Sequence, residues 1–136
     1  MKDTLVPGIE YTREIVVDES RAIDFMGKDL RVYATPNVVH DLEYACRDLI
    51  LEHLDTGEDS VGAKVEIEHT RPTPLGFGVT HKARVDSVDG RRVICKIEIY
   101  DEIEKVATAT HTRFIVAVDR LKTAIAEKRA KKEKEM

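Results

Sequence analysis

Glu43 sits where a carboxylate could do acid–base work. It belongs to a segment, residues 35–54, in which apolar residues recur at helical spacing. Counted from Val39 at about 100° per residue, Val38, Leu42, Ala45, Cys46, Leu49 and Ile50 fall in one arc from about −120° to +20°. Glu43 falls near +40°, at the edge of that arc and beside Ile50, by the same count. Asp41, Asp48 and Glu52 fall on the opposite side, which faces water on this count. A carboxylate against apolar surface loses hydration, which raises its pKa and suits it to act as an acid or base. On the helix alone, a boundary glutamate that reaches water or pairs with Arg47 at i+4 is the commoner outcome.

Thr35 falls near −40°, inside the apolar arc. Its plain role is an N-cap for the helix. Thr35 and Glu43 are separated by about 12 Å of helical rise, so a ligand or a third side chain would have to lie between them. Two histidines, His69 and His81, occupy the apolar register of strand-like segments, and periodicity does not choose between them. A hydrogen-bonded core histidine is the commoner fate of such a residue. His40 and His53 lie in the helical segment and His111 in a later strand. The histidines are scattered with no HxxxH, CxxC, phosphate-cradling glycine loop or GxSxG elbow, so neither a metal site nor a serine hydrolase is indicated. No cofactor is expected.

These side chains need elements to hold them. Ile9, Tyr11, Ile15 and Val17 alternate in a first strand, with Arg13 breaking the series. Residues 18–34 read as a connection with a short helix around Ser20–Met26. Thr35-Pro36 starts the long helix, because proline at its first position loses no needed N–H, and Asp55-Thr56-Gly57 ends it. Four strands follow. Val61, Ala63, Val65, Ile67 and His69 share a face in the first, Val79, His81, Ala83 and Val85 in the next, and Val93, Cys95, Ile97 and Ile99 in the third. Residues 105–118 form the last strand, whose buried face is ambiguous. A three-residue turn, Val88-Asp89-Gly90, would pair Val85 with Val93 and Ala83 with Cys95, keeping apolar residues on one face. The order is strand, long helix, four strands: an α+β layer arrangement with one helix against an antiparallel sheet of about five strands. The domain is expected over residues 1–118, followed by a charged tail, 119–136, helical or frayed.

The chain has 136 residues, of which 42% are hydrophobic and 35% charged, with net charge −4. A chain of that size buries roughly 68% of its unfolded surface, enough for a single core. No basic stripe with exposed aromatics marks a nucleic-acid surface. No apolar run reaches a membrane span, and Met1–Leu5 lacks a signal-like apolar stretch. Two cysteines, Cys46 and Cys95, suggest a reducing compartment, and the expected location is the cytoplasm.

The sequence resembles the hotdog-fold fluoroacetyl-CoA thioesterase family. The resemblance is carried by Val32-Tyr33-Ala34-Thr35, Leu42-Glu43-Tyr44-Ala45-Cys46 and Val61-Gly62-Ala63. It continues through His69-Thr70, Pro72-Thr73-Pro74-Leu75-Gly76, Val88-Asp89-Gly90-Arg91-Arg92 and Thr110-His111-Thr112-Arg113. It implies a hotdog fold, with the sheet wrapped around the long central helix. It also implies an acyl-CoA thioesterase acting on a small acyl thioester, working as a homodimer with acyl sites at the interface. By resemblance the catalytic set is Thr35, Glu43 and His69, which favours His69 over His81, and Gly62 lines the acyl site. The family's fluoroacetyl-specific member has a phenylalanine lid before the helix. Here that segment, Phe25-Met26-Gly27-Lys28-Asp29-Leu30-Arg31, is shorter and carries only Phe25. The competing expectations are a hotdog dehydratase or hydratase and a non-catalytic acyl-CoA-binding module. The hydratase signature of an aspartate shortly before a histidine in an Asn-Pro-rich loop is absent, and an intact Glu43 and His69 weigh against a module without catalysis.

Overall fold

The computed structural model of the chain describes residues 1–135. Its elements are β1 (Glu10–Val16), α1 (Thr35–Leu51), β2 (Glu58–His69), β3 (Gly78–Asp89), β4 (Arg92–Asp101), β5 (Lys105–Ala117) and α2 (Val118–Glu135). Two single 3-10 turns, Glu19–Arg21 and Lys28–Leu30, punctuate the connection before α1. The five strands form one antiparallel sheet in the order β1-β3-β4-β5-β2.

The apolar arc of α1 lies on this sheet. Val38, Leu42, Ala45, Cys46, Leu49 and Ile50 are all fully buried. They meet Val79, Ala83, Val85, Val93, Cys95, Ile97 and Ile99, the alternate positions of β3 and β4. Helical period on one side and strand period on the other thus bring two apolar faces together. The helix starts at Thr35 with Pro36 in its first turn, as expected, and ends at Leu51, three residues before the expected Leu54. Residues 52–57 form a turn closed by Gly57 at φ 87°.

Two expectations about faces and registers fail, both through bulges. In β2 the pairing with β5 slips between Gly62 and Lys64. Ser60 and Gly62 therefore face inward before the slip, and Val65, Ile67 and His69 after it, while Val61 and Ala63 are exposed. The five alternate residues do not share one face. Between β3 and β4 the turn has two residues, Gly90-Arg91, with Gly90 at φ 59°. The pairs are Val85↔Cys95, Ala83↔Ile97 and Val88↔Val93, and a slip between Val85 and Ser87 keeps both ends of the hairpin facing the core. The extra residue of a bulge absorbs the mixing of faces that a two-residue turn would otherwise impose. In β5 the inward positions are Ala107, Ala109, His111, Arg113 and Ile115, all buried. Two of these are polar, which is why its pattern is hard to read.

The wheel placed Asp41 toward water, and this too is corrected. It is 0% exposed, covered by Arg13 of β1, Arg21 and Tyr33. Of the tail expected to be helical or frayed, the described residues, through Glu135, are helical. The segment is rich in strong helix formers, and none of its described residues is buried.

The core assignment predicts a large loss on truncation. Leu42→Ala should cost about 2–5 kcal/mol in urea unfolding, whereas Glu52→Ala should stay within about 0.5 kcal/mol. A Leu42→Ala variant as stable as the parent would show that α1 does not seat on the sheet through this residue.

Candidate active site

Thr35 opens α1, but Ala34 is the residue in the capping position, and no side chain caps the helix. The threonine hydroxyl is therefore not spent on the backbone. It lies 2.9 Å from Nδ1 of His69, the last residue of β2. The expected plain N-cap role is replaced by a contact between elements 34 residues apart in sequence. His69 Nε2 is buried and has no hydrogen-bond partner among the described residues. Burial holds the His69 imidazole below its ordinary pKa, against a smaller opposing contribution from the nearby Arg71 backbone. At neutral pH the ring is thus uncharged, with one nitrogen on Thr35 and the other uncommitted. A cavity of about 320 Å³ adjoins Thr35 and His69, walled by Ile23, Phe25 and Val32.

Glu43 lies in a second cluster, two helical turns further along α1. Its carboxylate is not desolvated as the wheel suggested, since the side chain is 40% exposed. It lies 3.6 Å from Nη1 of Arg113, a guanidinium only 5% exposed. Arg113 Nε donates to Ser60 Oγ at 2.8 Å and Nη2 to the Ser60 carbonyl at 2.7 Å. Its Nη1 also donates to His111 Nε2 at 3.1 Å. That bond requires a bare Nε2, so His111 carries its proton on Nδ1 and donates it to the Lys64 carbonyl at 2.8 Å. Burial lowers the pKa of both His111 and Arg113.

Gly62 completes this cluster. A Cβ there would stand 2.9 Å from Glu43 Oε2 and 3.2 Å from His111 Cε1. Of the residues singled out from sequence, the fold joins Thr35 to His69 and Glu43 to Gly62, and the two pairs are held apart along α1. Arg113 and His111 were missed as site residues. Their signal was present as two polar residues at alternate, inward positions of β5, but periodicity treats such positions as noise.

His81 sits elsewhere. It is 0% exposed, and its Nε2 lies 3.0 Å from the Tyr33 hydroxyl, which in turn is 2.5 Å from Asp41 Oδ2. Its expected place on the apolar face of β3 is correct, but it borders no opening of the Thr35–His69 cavity. Burial lowers its pKa to about 4, despite the opposing charge of Asp41. For Asp41, burial pushes the pKa up. Hydrogen bonds from Arg21 and Tyr33, with the charge of Arg21, outweigh this and hold it below the usual carboxylate range.

Among the described residues, no group of His, Cys, Asp and Glu is arranged to hold a metal ion. No helix among them is long and apolar enough to cross a membrane.

A family model described as fluoroacetyl-CoA-specific thioesterase matches residues 17–119. The fluoroacetyl-CoA thioesterase of Streptantibioticus cattleyicolor is 27% identical over 135 residues, covering 94% of this chain and 97% of that protein. A Thermus thermophilus member of the thioesterase superfamily superposes with a TM-score of 0.87 at 26% identity, over 96% of this chain and 98% of that one. A hot-dog-like protein from Thermanaerovibrio acidaminovorans gives 0.83 at 26% identity, over 90% and 91%. The five-stranded sheet, its enclosed helix and these neighbours define a hotdog-fold thioesterase. Within that class the chain belongs to the fluoroacetyl-CoA-specific thioesterase family.

His81 makes stability depend on acid. Its folded pKa is about 4, below the unfolded value of 6.5, so between these values the unfolded chain binds more protons. The contribution is complete above pH 6.5 and is lost as pH falls toward 4, amounting to about 3 kcal/mol. Urea unfolding at pH 7.5, 5.5 and 4.5 should show this decline, and a His81→Gln variant should show a shallower one. Equal slopes in the two proteins would exclude His81 as the source.

Proposed function

We propose that this chain hydrolyses a small acyl-CoA thioester, with Thr35, Glu43 and His69 as its catalytic set and each site shared by two subunits. The observation that carries this reading is the 2.9 Å Thr35–His69 contact, which leaves an enclosed, uncommitted Nε2 beside a cavity. A hydroxyl and a neutral imidazole so placed can bind a thioester carbonyl and pass a proton.

Glu43 supplies the carboxylate, as nucleophile on the carbonyl or as the base for a water. Arg113 orients it, and Gly62 leaves room beside it. A thiol has a pKa near 8.5, so the leaving thiolate needs little acid assistance. Pro36 has no N–H, and the Ala34 carbonyl already accepts from the N–H groups of Asn37 and Val38, at 2.9 and 3.0 Å. The Thr35 N–H then becomes the helix donor, with the α1 N-terminus adding its positive end.

The two clusters lie about 12 Å apart along α1, too far for one small acyl group to touch both within one subunit. A twofold dimer resolves this if Glu43 of one subunit meets the Thr35–His69 pair of the other. The free edge of β2 favours such pairing. It is twelve residues long and presents unpaired backbone groups with the exposed Val61. Both cysteines are free and buried, which supports a reducing, cytoplasmic setting.

Thiol release from acyl-CoA substrates tests the chemistry. Glu43→Gln should lower turnover by a factor of order 100 or more with the fold intact. His69→Ala should lose hydrolysis, while His81→Ala should lose mainly stability. A folded, fully active Glu43→Gln protein would remove the carboxylate from the mechanism.

Sedimentation should show a dimer at micromolar concentration, and subunit mixing tests the sharing of sites. In a heterodimer of His69→Ala and Glu43→Gln chains, one site regains all three groups. Half of the dimers in a random mixture are heterodimers, so mixing two dead variants should restore about a quarter of parental activity if exchange follows simple twofold statistics. No restoration despite demonstrated exchange would place each site within a single subunit.

A further inference from the structure

The connection between β1 and α1 forms a strap, residues 18–34, that walls the Thr35–His69 cavity with Ile23, Phe25 and Val32. Its two limbs are tied to each other. Ala34 N–H donates to the Arg21 carbonyl at 2.8 Å, Ile23 N–H to the Val32 carbonyl at 2.9 Å, and Arg31 Nε to the Ile23 carbonyl at 3.0 Å. Its tip is splayed toward solvent, with Phe25 76% and Met26 51% exposed. The strap is therefore a hydrogen-bonded ladder with an exposed end, and its distance from His69 depends on how the ladder is fastened to the body.

One fastening is an ion pair. Arg21 Nε donates to Asp41 Oδ2 at 2.9 Å and Nη2 to Oδ1 at 3.2 Å, a two-pronged contact on a carboxylate that is 1% exposed. Arg21 Nη1 reaches back to Asp18 at the foot of the strap, at 2.8 Å. Asp41 also accepts from Tyr33 at the other foot, and the Tyr33 ring meets the His69 ring edge-on with centroids 6.4 Å apart. The same carboxylate therefore fixes both feet of the strap and the ring that backs the imidazole. A buried ion pair is weak as a source of net stability, but its geometry is strict, because either charge left alone is costly.

We propose that the Arg21–Asp41 ion pair is a determinant of acyl-chain selectivity, pinning the strap so that Ile23, Phe25 and Val32 close the Thr35–His69 cavity around a short acyl group. This rests on the reading of that cavity as the acyl site. Arg21 and Asp41 are positioning residues, since neither borders the cavity. With the pin removed, the wall retreats. Longer chains gain room and short ones lose contact.

The test compares kcat and KM for acetyl-, butanoyl- and hexanoyl-CoA in the parent, Arg21→Gln, Arg21→Lys and His69→Ala proteins, per folded molecule. Arg21 is the residue to change because its side chain is 22% exposed and Asp41 keeps Arg13 and Tyr33 when it is gone. In Arg21→Gln the hexanoyl-to-acetyl ratio of kcat/KM should rise about tenfold, the scale on which a few methylene contacts discriminate. Arg21→Lys, which keeps the charge but not the two-pronged bond, should shift the ratio less. A purely structural pair would lower the melting temperature and leave the ratio unchanged. That result, beside an inactive His69→Ala protein, would overturn the strap proposal alone. An active His69→Ala protein would instead overturn the acyl-site reading, and the proposal with it.

Discussion

Were β2 to alternate regularly through Ala63, with no bulge, the inward register that sets Ser60 and Gly62 against α1 would continue through Lys64, Glu66 and Glu68. Three charged side chains would then face the core, each costing several kcal/mol in lost hydration, and His69 would point to solvent. The bulge shifts the register by one and turns Val65, Ile67 and His69 inward instead. One strand can therefore place a glycine beside Glu43 at one end and an imidazole beside Thr35 at the other. Both halves of the candidate site depend on it, because α1 offers its two candidate residues on the same side and β2 must answer each.

The parts of the fold governed by regular periods were legible in the sequence. The apolar arc of α1 and the inward faces of β3 and β4 repeat at helical and strand spacing, and the buried residues follow them. The parts governed by a single inserted residue were not. A bulge leaves composition and local propensity almost unchanged, so alternation counted straight through Gly62 to His69 and gave the wrong face at Val61 and Ala63. The β3–β4 turn failed for the same reason. Alternation demanded a three-residue loop, and the chain kept a two-residue one by adding its extra residue further back.

Polar side chains in the interior were the other blind spot. Arg13 looked like a break in β1, and Asp41 looked like a solvent-facing acid of α1. Each was an exception only when taken alone, because they are partners across the β1–α1 interface. A helix wheel divides apolar from polar, but it does not know that a strap and a neighbouring strand will cover the polar side. Arg113 and His111 escaped notice similarly. They face inward from β5 because Glu43, Ser60 and Lys64 supply their partners, and those partners come from two other elements.

The half-buried His69 and the buried His81 and His111 show why geometry separates candidates that periodicity cannot. His81 spends Nε2 on Tyr33 deep in the core, and its pKa near 4 keeps it neutral at any pH where the fold is comfortable. His111 spends both nitrogens, one on the Lys64 carbonyl and one on Arg113, so its proton is fixed in place and it can only orient. His69 alone of the three combines a hydroxyl on one nitrogen, an uncommitted second nitrogen and a cavity wall. Burial lowers its pKa too, which keeps the ring neutral and able to accept a proton and return it. Thioester cleavage suits such a group. In the proposed reaction the thiolate leaves with little acid assistance, so the imidazole need not be strongly acidic, and the larger demand falls on the proposed carboxylate, which attacks or directs water. That division of labour fits a site in which the imidazole is enclosed and the carboxylate of Glu43 stands half open beside a fixed positive charge.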